Sequence, residues 1–341
     1  MTEPVPILTT SAPSIPIHLC IVTTLSSGRG LAVAPNYRVR RGQVALSNCP
    51  SAVAISARQQ PFTCACCFRR KADRSSPDVP IRWKRRCHIC RSVRWCSNVC
   101  QTNTTARHAI ECPLLTRLQN NPEIPRDVRE HIVILASILA SMGTETDVSG
   151  TPRGMTTTNT SCQQEIRSLV EQDWTKPGSK KCRRVMQDAA NKVHEWGMEM
   201  DAHYPSTLSL QQLLHTGPMN DVGLWDPMGD SMGRCVAPLF ALTNHSCLPN
   251  CAQIIDHGHV QLIALRDLEA GDELTHSYVN LNTSDRQQTM VQSWQFRCQC
   301  LRCQTPTASQ IVAFDEEHVC QCGGVVLKRG TDCHCNALLV L

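Results

Sequence analysis

The sequence predicts an α+β fold: a mainly β core interrupted first by a cysteine module and then by a helical insert. Three observations carry this. β-rich runs with glycine turns lie near the start and again in the second half, apolar residues recur at helical spacing between them, and cysteines fall in short-spaced pairs. At 341 residues the chain is long enough for one large domain with inserted modules.

Cysteine is the compositional outlier, with 22 residues. The Pro- and Thr-rich start has no basic segment and no apolar core of a leader peptide, and no apolar run is long enough to span a membrane. Paired cysteines then read as metal sites in a reducing compartment, cytoplasm or nucleus, rather than as disulfides. Aromatic content is only 4%, with three Tyr and five Phe, so any aromatic-lined pocket is built from few residues. The formal charge of +5 falls to about zero once metal-bound thiolates and their zinc ions are counted, so whole-chain charge does not point to nucleic acid.

Residues 1–14 read as a flexible start. In 15–63, a β-rich run over Ile15–Val22 leads into a glycine turn holding Gly28, Arg29 and Gly30, and a second run surrounds Gly42–Leu46. Segment 64–112 is the cysteine module: Cys64-x2-Cys67, Cys87-x2-Cys90, Cys96-x3-Cys100 and His108-x3-Cys112. Tetrahedral zinc takes four such ligands and each short pair supplies two, so the module holds two ions. It is too rich in Pro and Arg for a sizeable apolar core, and the metals keep it folded. Its basic runs, Arg69-Arg70-Lys71 and Lys84-Arg85-Arg86, read as a solvated face that offsets the anionic zinc centres, a reading preferred to nucleic-acid binding.

Segment 113–205 is the helical insert. Val128, Ile132, Leu135, Ile138, Leu139 and Met142 make one apolar face; Ile166, Leu169, Val170 and Trp174 a second; Val185, Ala189, Val193, Trp196 and Met200 a third. A polar loop from Gly143 to Ser161 separates the first two. From Pro205 the chain reads as β-like, with alternation at Val260, Leu262 and Ala264 after a His257-Gly258 turn, and 206–297 forms the core's second half. The tail, 298–341, opens with Cys298-x-Cys300-x2-Cys303, three ligands in need of a distant fourth, and closes with Cys320, Cys322, Cys333 and Cys335.

Two stretches organise the rest: Asn244-His245-Ser246-Cys247-Leu248-Pro249-Asn250 and Gly271-Asp272-Glu273-Leu274-Thr275-His276-Ser277-Tyr278. With the Gly28-Arg29-Gly30 turn, the inserted eight-ligand module, the helical stretch and the closing CxCxxC, they resemble the SMYD family of SET and MYND domain proteins. The resemblance covers roughly residues 15–303. It implies a SET domain split by a MYND zinc finger and a helical insert, with a cysteine-rich, zinc-binding post-SET tail. It pairs the finger's ligands as Cys64, Cys67, Cys96, Cys100 and Cys87, Cys90, His108, Cys112, and adds a third structural zinc on Cys247, Cys298, Cys300 and Cys303. The last four cysteines are similar to the tail of the arthropod-type branch and would hold a fourth.

The resemblance further implies S-adenosylmethionine as cofactor, held by Gly28, Arg29, Gly30, Asn220, Asn244, His245, Trp294 and Phe296, with Tyr278 as the catalytic tyrosine. The expected activity is methyl transfer to lysine side chains of proteins; the alternative is a catalytically weak or inactive adaptor in transcriptional repression. Expected partners are a protein substrate with a target lysine and proline-containing peptides at the finger; the expected state is a monomer away from membranes. Three positions depart from the family pattern: Val222 stands where Phe is usual, Trp294 where Tyr is usual, and Thr283 where another channel aromatic is expected.

Overall fold

The computed structural model describes residues 20–25, 28–70, 81–143, 169, 179–202, 204–225, 231–279, 285–304 and 309–318. The flexible-start segment, the Gly143–Ser161 loop except its first residue, Ile166, Val170, Trp174, Thr283 and the cluster Cys320, Cys322, Cys333 and Cys335 lie outside these residues.

Strands β1 (Cys20–Leu25) and β2 (Gly28–Val33) form an antiparallel hairpin. The Gly-Arg-Gly segment, expected as a turn, opens β2 instead, with Gly28 opposite Leu25 and Gly30 opposite Thr23. Glycine density suggested a turn; cross-strand pairing makes it strand. Next come β3 (Val44–Asn48) and β4 (Ala52–Ile55). The finger contributes the short β5 (Arg85–Arg86) and β6 (Arg94–Trp95), then helices α1 (Asn98–Asn103) and α2 (Thr105–Asn120). Ser97 caps α1 by accepting the Cys100 N–H at 3.1 Å. Helix α2 runs through Pro113 and puts His108 and Cys112, four apart, on one face.

Helix α3 (Arg126–Gly143) follows Pro125, carries Asp127 in its first turn, and buries Val128, Ile132, Leu135, Ile138 and Leu139 as the apolar spacing predicts. In α4 (Ser179–Glu199) the buried face is Met186, Ala189, Ala190, Val193 and Trp196, with Val185 at its edge. Residues expected as β-like after Pro205 form α5 (Thr207–His215), capped by Ser206, with Leu210, Leu213 and Leu214 buried in the helical core. These helices and Leu169 pack on Ala52 and Ala54 of β4, and the Ser137 hydroxyl of α3 accepts the Val53 N–H at 2.8 Å.

Helix α6 (Gly217–Asn220) then leads into β7 (Asp221–Trp225) and β8 (Ser231–Val236), and the order β4-β8-β7 makes one antiparallel sheet. After a 3-10 turn, Phe240–Leu242, come β9 (Asn244–His245), β10 (Cys251–Asp256), β11 (His259–Ala264) and β12 (Thr275–His276). A second sheet runs β10-β11-β3, while β9 and β12 pair in parallel. Val260, Leu262 and Ala264 alternate into the β core with Leu31, Val33 and Leu46.

The β10–β11 turn places His257 at φ 47° and Gly258 at φ 88°, the left-handed pair that suits a two-residue hairpin. A Cβ on Gly258 would stand 2.5 Å from the Cys66 carbonyl, so this turn backs directly onto the finger's first ligand loop. Helices α7 (Arg286–Trp294), α8 (Leu301–Gln304) and α9 (Ser309–His318) complete the described chain. No helix among the described residues is long and apolar enough to cross a membrane.

Candidate active site and metal centres

Three groups of four ligand atoms converge, each set lying within 4.8 Å: Cys64, Cys67, Cys96, Cys100; Cys87, Cys90, His108, Cys112; and Cys247, Cys298, Cys300, Cys303. Tetrahedral zinc with Zn–S near 2.3 Å separates its sulfurs by about 3.8 Å. Cys67 and Cys96 are 3.6 Å apart, Cys87 and Cys112 3.7 Å, and Cys247 and Cys303 3.7 Å. The donors therefore fit zinc in number, chemistry and spacing, and they leave no place for a bound water, so the sites are structural. Hydrogen bonding from Cys67 holds the Cys64 thiol down to about 4, and Cys247 and Cys298 likewise favour the Cys300 thiolate. His108 points Nε2 at Cys90, 3.7 Å away, while its Nδ1 lies 3.8 Å from the Glu111 carboxylate, near but beyond hydrogen-bond distance.

The third group lies against the motifs that organise the sequence. Asn250 stitches them together: its amide donates to the Glu273 carbonyl at 2.7 Å, and its Oδ1 accepts the Thr275 N–H at 2.9 Å. Asn244 donates to the Glu273 carboxylate at 2.8 Å. Strand β2 joins the same place, because the Leu31 carbonyl accepts the Leu274 N–H at 2.8 Å and β2 touches the Phe240–Leu242 turn. The Gly28-Arg29-Gly30 segment thus runs into the strand that lines this motif pair.

Tyr278 lies partly buried at the centre. Its hydroxyl donates to the Thr243 carbonyl at 2.7 Å, its N–H donates to His245 Nδ1 at 3.0 Å, and burial pushes its phenol up, so the hydroxyl stays protonated. With Nδ1 accepting, His245 carries its proton on Nε2, which faces Cys247 Sγ at 3.1 Å. Burial pushes the ring down to about 4, so it is neutral and links the third zinc group to the tyrosine backbone. Both ring nitrogens are thus engaged inside the protein, and a cofactor contact at His245 falls to its backbone.

An aromatic cluster surrounds the tyrosine: His276 at 4.9 Å, Trp294 and His245 at 5.2 Å, and Phe296 at 6.5 Å between ring centroids. Trp294 ends α7, Gln295 breaks it at φ 63°, and Phe296 emerges 36% exposed, an open aromatic face for a stacked ring. Asn220 is buried at the end of α6, donates to the Thr216 carbonyl at 2.6 Å, and sits on the element that packs against α7. Val222, where Phe was the usual residue, is buried in the β core. Sequence reading assigned no role to Asn250, Glu273, Thr243 or His276. Asn250 closes the first motif and Glu273 and His276 lie within the second, which was the available signal.

The SET domain profile matches residues 158–279, ending one residue past Tyr278. Mouse histone-lysine N-methyltransferase SMYD3 is 25% identical over 290 residues, covering 83% of this chain and 60% of that protein. The zebrafish (Danio rerio) N-lysine methyltransferase SMYD2-A is 25% identical, covering 81% of this chain and 58% of its own length. The SET domain and MYND-type zinc finger protein 6 of Schizosaccharomyces pombe is 23% identical over 81% of this chain and 50% of its own. The chain thus spans 50–60% of the length of these relatives.

Proposed function

We propose, from the premise that this chain is a SET-domain protein of the SMYD family, that it transfers methyl groups from S-adenosylmethionine to lysine side chains of other proteins. The observation that carries the reading is the convergence of the Asn244–Asn250 and Gly271–Tyr278 motifs on a partly buried tyrosine, beside two aromatic faces and a four-thiol centre. Bound S-adenosylmethionine would supply an electrophilic methyl group on a sulfonium. Gly28, Arg29, Gly30, Asn220, Asn244 and the His245 backbone are the residues proposed to hold it, with Trp294 and Phe296 offering stacking faces. Glycines let backbone approach a ligand closely. Tyr278 keeps its hydroxyl protonated and fixed on the Thr243 carbonyl, giving a rigid wall against which an amine is aligned. Zinc held by Cys247, Cys298, Cys300 and Cys303 would take no part in the chemistry and would tie the Cys298–Cys303 segment, and with it Phe296, to the Cys247 turn.

The test is a calorimetric titration of S-adenosylmethionine into zinc-loaded protein. Micromolar binding supports the reading; no heat from folded, fully metallated protein refutes it.

A second reading, an adaptor that binds proline-containing peptides through the finger in transcriptional repression, is favoured by one feature: Ile89 and Val99 stand 61% and 67% exposed on the finger. Peptide binding lost in Ile89→Asp would support it. We also propose that the chain acts as a monomer in the cytoplasm or nucleus.

A further inference from the structure

Two buried polar groups beside Tyr278 have no hydrogen-bond partner among the described residues. Thr243 is fully buried with its Oγ1 unpaired, and His276, 7% exposed, has a buried, unpaired Nδ1. A polar atom shut away from water without a partner is costly, so two such atoms at one place call for a ligand that completes them. They share a location. Thr243 leads directly into β9 and its carbonyl accepts the Tyr278 hydroxyl at 2.7 Å. His276 is paired with His245 across the β9–β12 ladder, and its ring lies 4.9 Å from that of Tyr278, with Phe240 closing the other side at 5.0 Å.

The chemistry of the proposed reaction says what would fill such a place. An amine that attacks carbon must keep its lone pair for that carbon, so its N–H groups must be received by acceptors that fix its direction. The Thr243 hydroxyl and a neutral imidazole nitrogen are acceptors of this kind. A cationic ring would instead repel the charge that develops on the nitrogen. Burial, reinforced by the neighbouring His245, pushes His276 down to about 3, so it remains neutral at any working pH.

The geometry points to His276, together with the Thr243 hydroxyl, as the positioning pair that receives the N–H groups of a substrate's primary alkyl amine beside Tyr278. This rests on the methyl-transfer reading. His276 is a positioning residue: it holds the amine and takes no part in bond making.

The experiment uses the zinc-loaded full chain, labelled with nitrogen-15 and saturated with S-adenosylhomocysteine, and n-butylamine as the stand-in for a lysine side chain. The imidazole nitrogens of His276 are followed by NMR as the amine is added. Expected are a shift of the His276 Nδ1 resonance on saturation, and amine binding weakened about fivefold or more in both His276→Phe and Thr243→Val, the loss of one hydrogen bond in each. S-adenosylhomocysteine should still bind both variants. If the wild type binds the cofactor product and the amine without moving His276, or the folded variants bind the amine like wild type, the proposal is overturned. Should His276→Phe not fold, Thr243→Val, which removes one hydroxyl at constant shape, decides alone. If S-adenosylhomocysteine does not bind the wild type, the methyl-transfer reading itself fails and this inference falls with it.

Discussion

Replacing Asn250 by Ala should separate the two motifs that build the site while leaving every zinc ligand in place. The side chain makes three hydrogen bonds across the junction: to the Glu273 carbonyl at 2.7 Å, from the Thr275 N–H at 2.9 Å and from the Thr275 hydroxyl at 3.2 Å. At about 0.5–1.5 kcal/mol each, their sum is about 1.5–4.5 kcal/mol. Asn250 is half-buried, so water recovers part of this, and a loss of about 2–3 kcal/mol is expected. For a chain of this size that corresponds to a fall of about 4 °C in the unfolding midpoint. Zinc content should stay at wild-type level, while S-adenosylmethionine affinity falls because the Asn244 side chain loses its fixed relation to Glu273. Thr275→Val, which removes one of the three bonds and also the bond that its hydroxyl accepts from the Asn250 N–H at 3.3 Å, should cost about 1–3 kcal/mol. Thermal unfolding, metal analysis and calorimetry on the same samples check this. An Asn250→Ala protein within about 0.5 kcal/mol of wild type, with unchanged cofactor affinity, would refute the stitching role.

Tyr278→Phe removes the hydroxyl held on the Thr243 carbonyl; turnover should fall about 100-fold or more while S-adenosylmethionine still binds, as single-turnover kinetics and calorimetry will show. Cys300→Ser should release the third zinc and lower cofactor affinity by freeing the segment that carries Phe296, and retention of all three ions by metal analysis would count against the site. His276 bears on pH. Its folded value, about 3, lies below the ordinary 6.5, so between those values the unfolded chain takes up a proton that the folded chain does not. This contribution to stability is complete above pH 6.5 and is lost as pH falls, by about 1.4 kcal/mol per unit. His276→Phe should therefore destabilise less steeply on acidification than wild type, and parallel slopes of midpoint against pH would contradict the assignment.

The ligand pairs were legible because ligand identity and short spacing are local: Cys-x2-Cys, Cys-x3-Cys and His-x3-Cys each place two donors within reach of one ion, while which pairs share an ion was implied only by the resemblance. The helix over Arg126–Gly143 was legible because its apolar period is long and clean. Helix α5 was not, since Thr207-Leu208-Ser209-Leu210 alternates like a strand, and only the helical core that buries Leu210, Leu213 and Leu214 selects the helix. In α2 the interior Pro113 argues against a helix, yet His108 and Cys112 must meet Cys87 and Cys90 on one side.

The resemblance of Asn244–Asn250 and Gly271–Tyr278 to the motifs of the SMYD family marked the centre of the site and implied the role of Tyr278. What each residue does there depended on burial and on partners distant in the chain, which only the tertiary structure supplies. It turned the Gly28–Gly30 segment into strand through pairing with β1. It tied both nitrogens of His245 to Cys247 and Tyr278, and gave Asn250 its three bonds. It also enclosed His276 between Phe240 and Tyr278, where desolvation sets its charge. Covalent ligand chemistry is written in neighbouring letters, whereas desolvation and hydrogen-bond completion are properties of the packed neighbourhood.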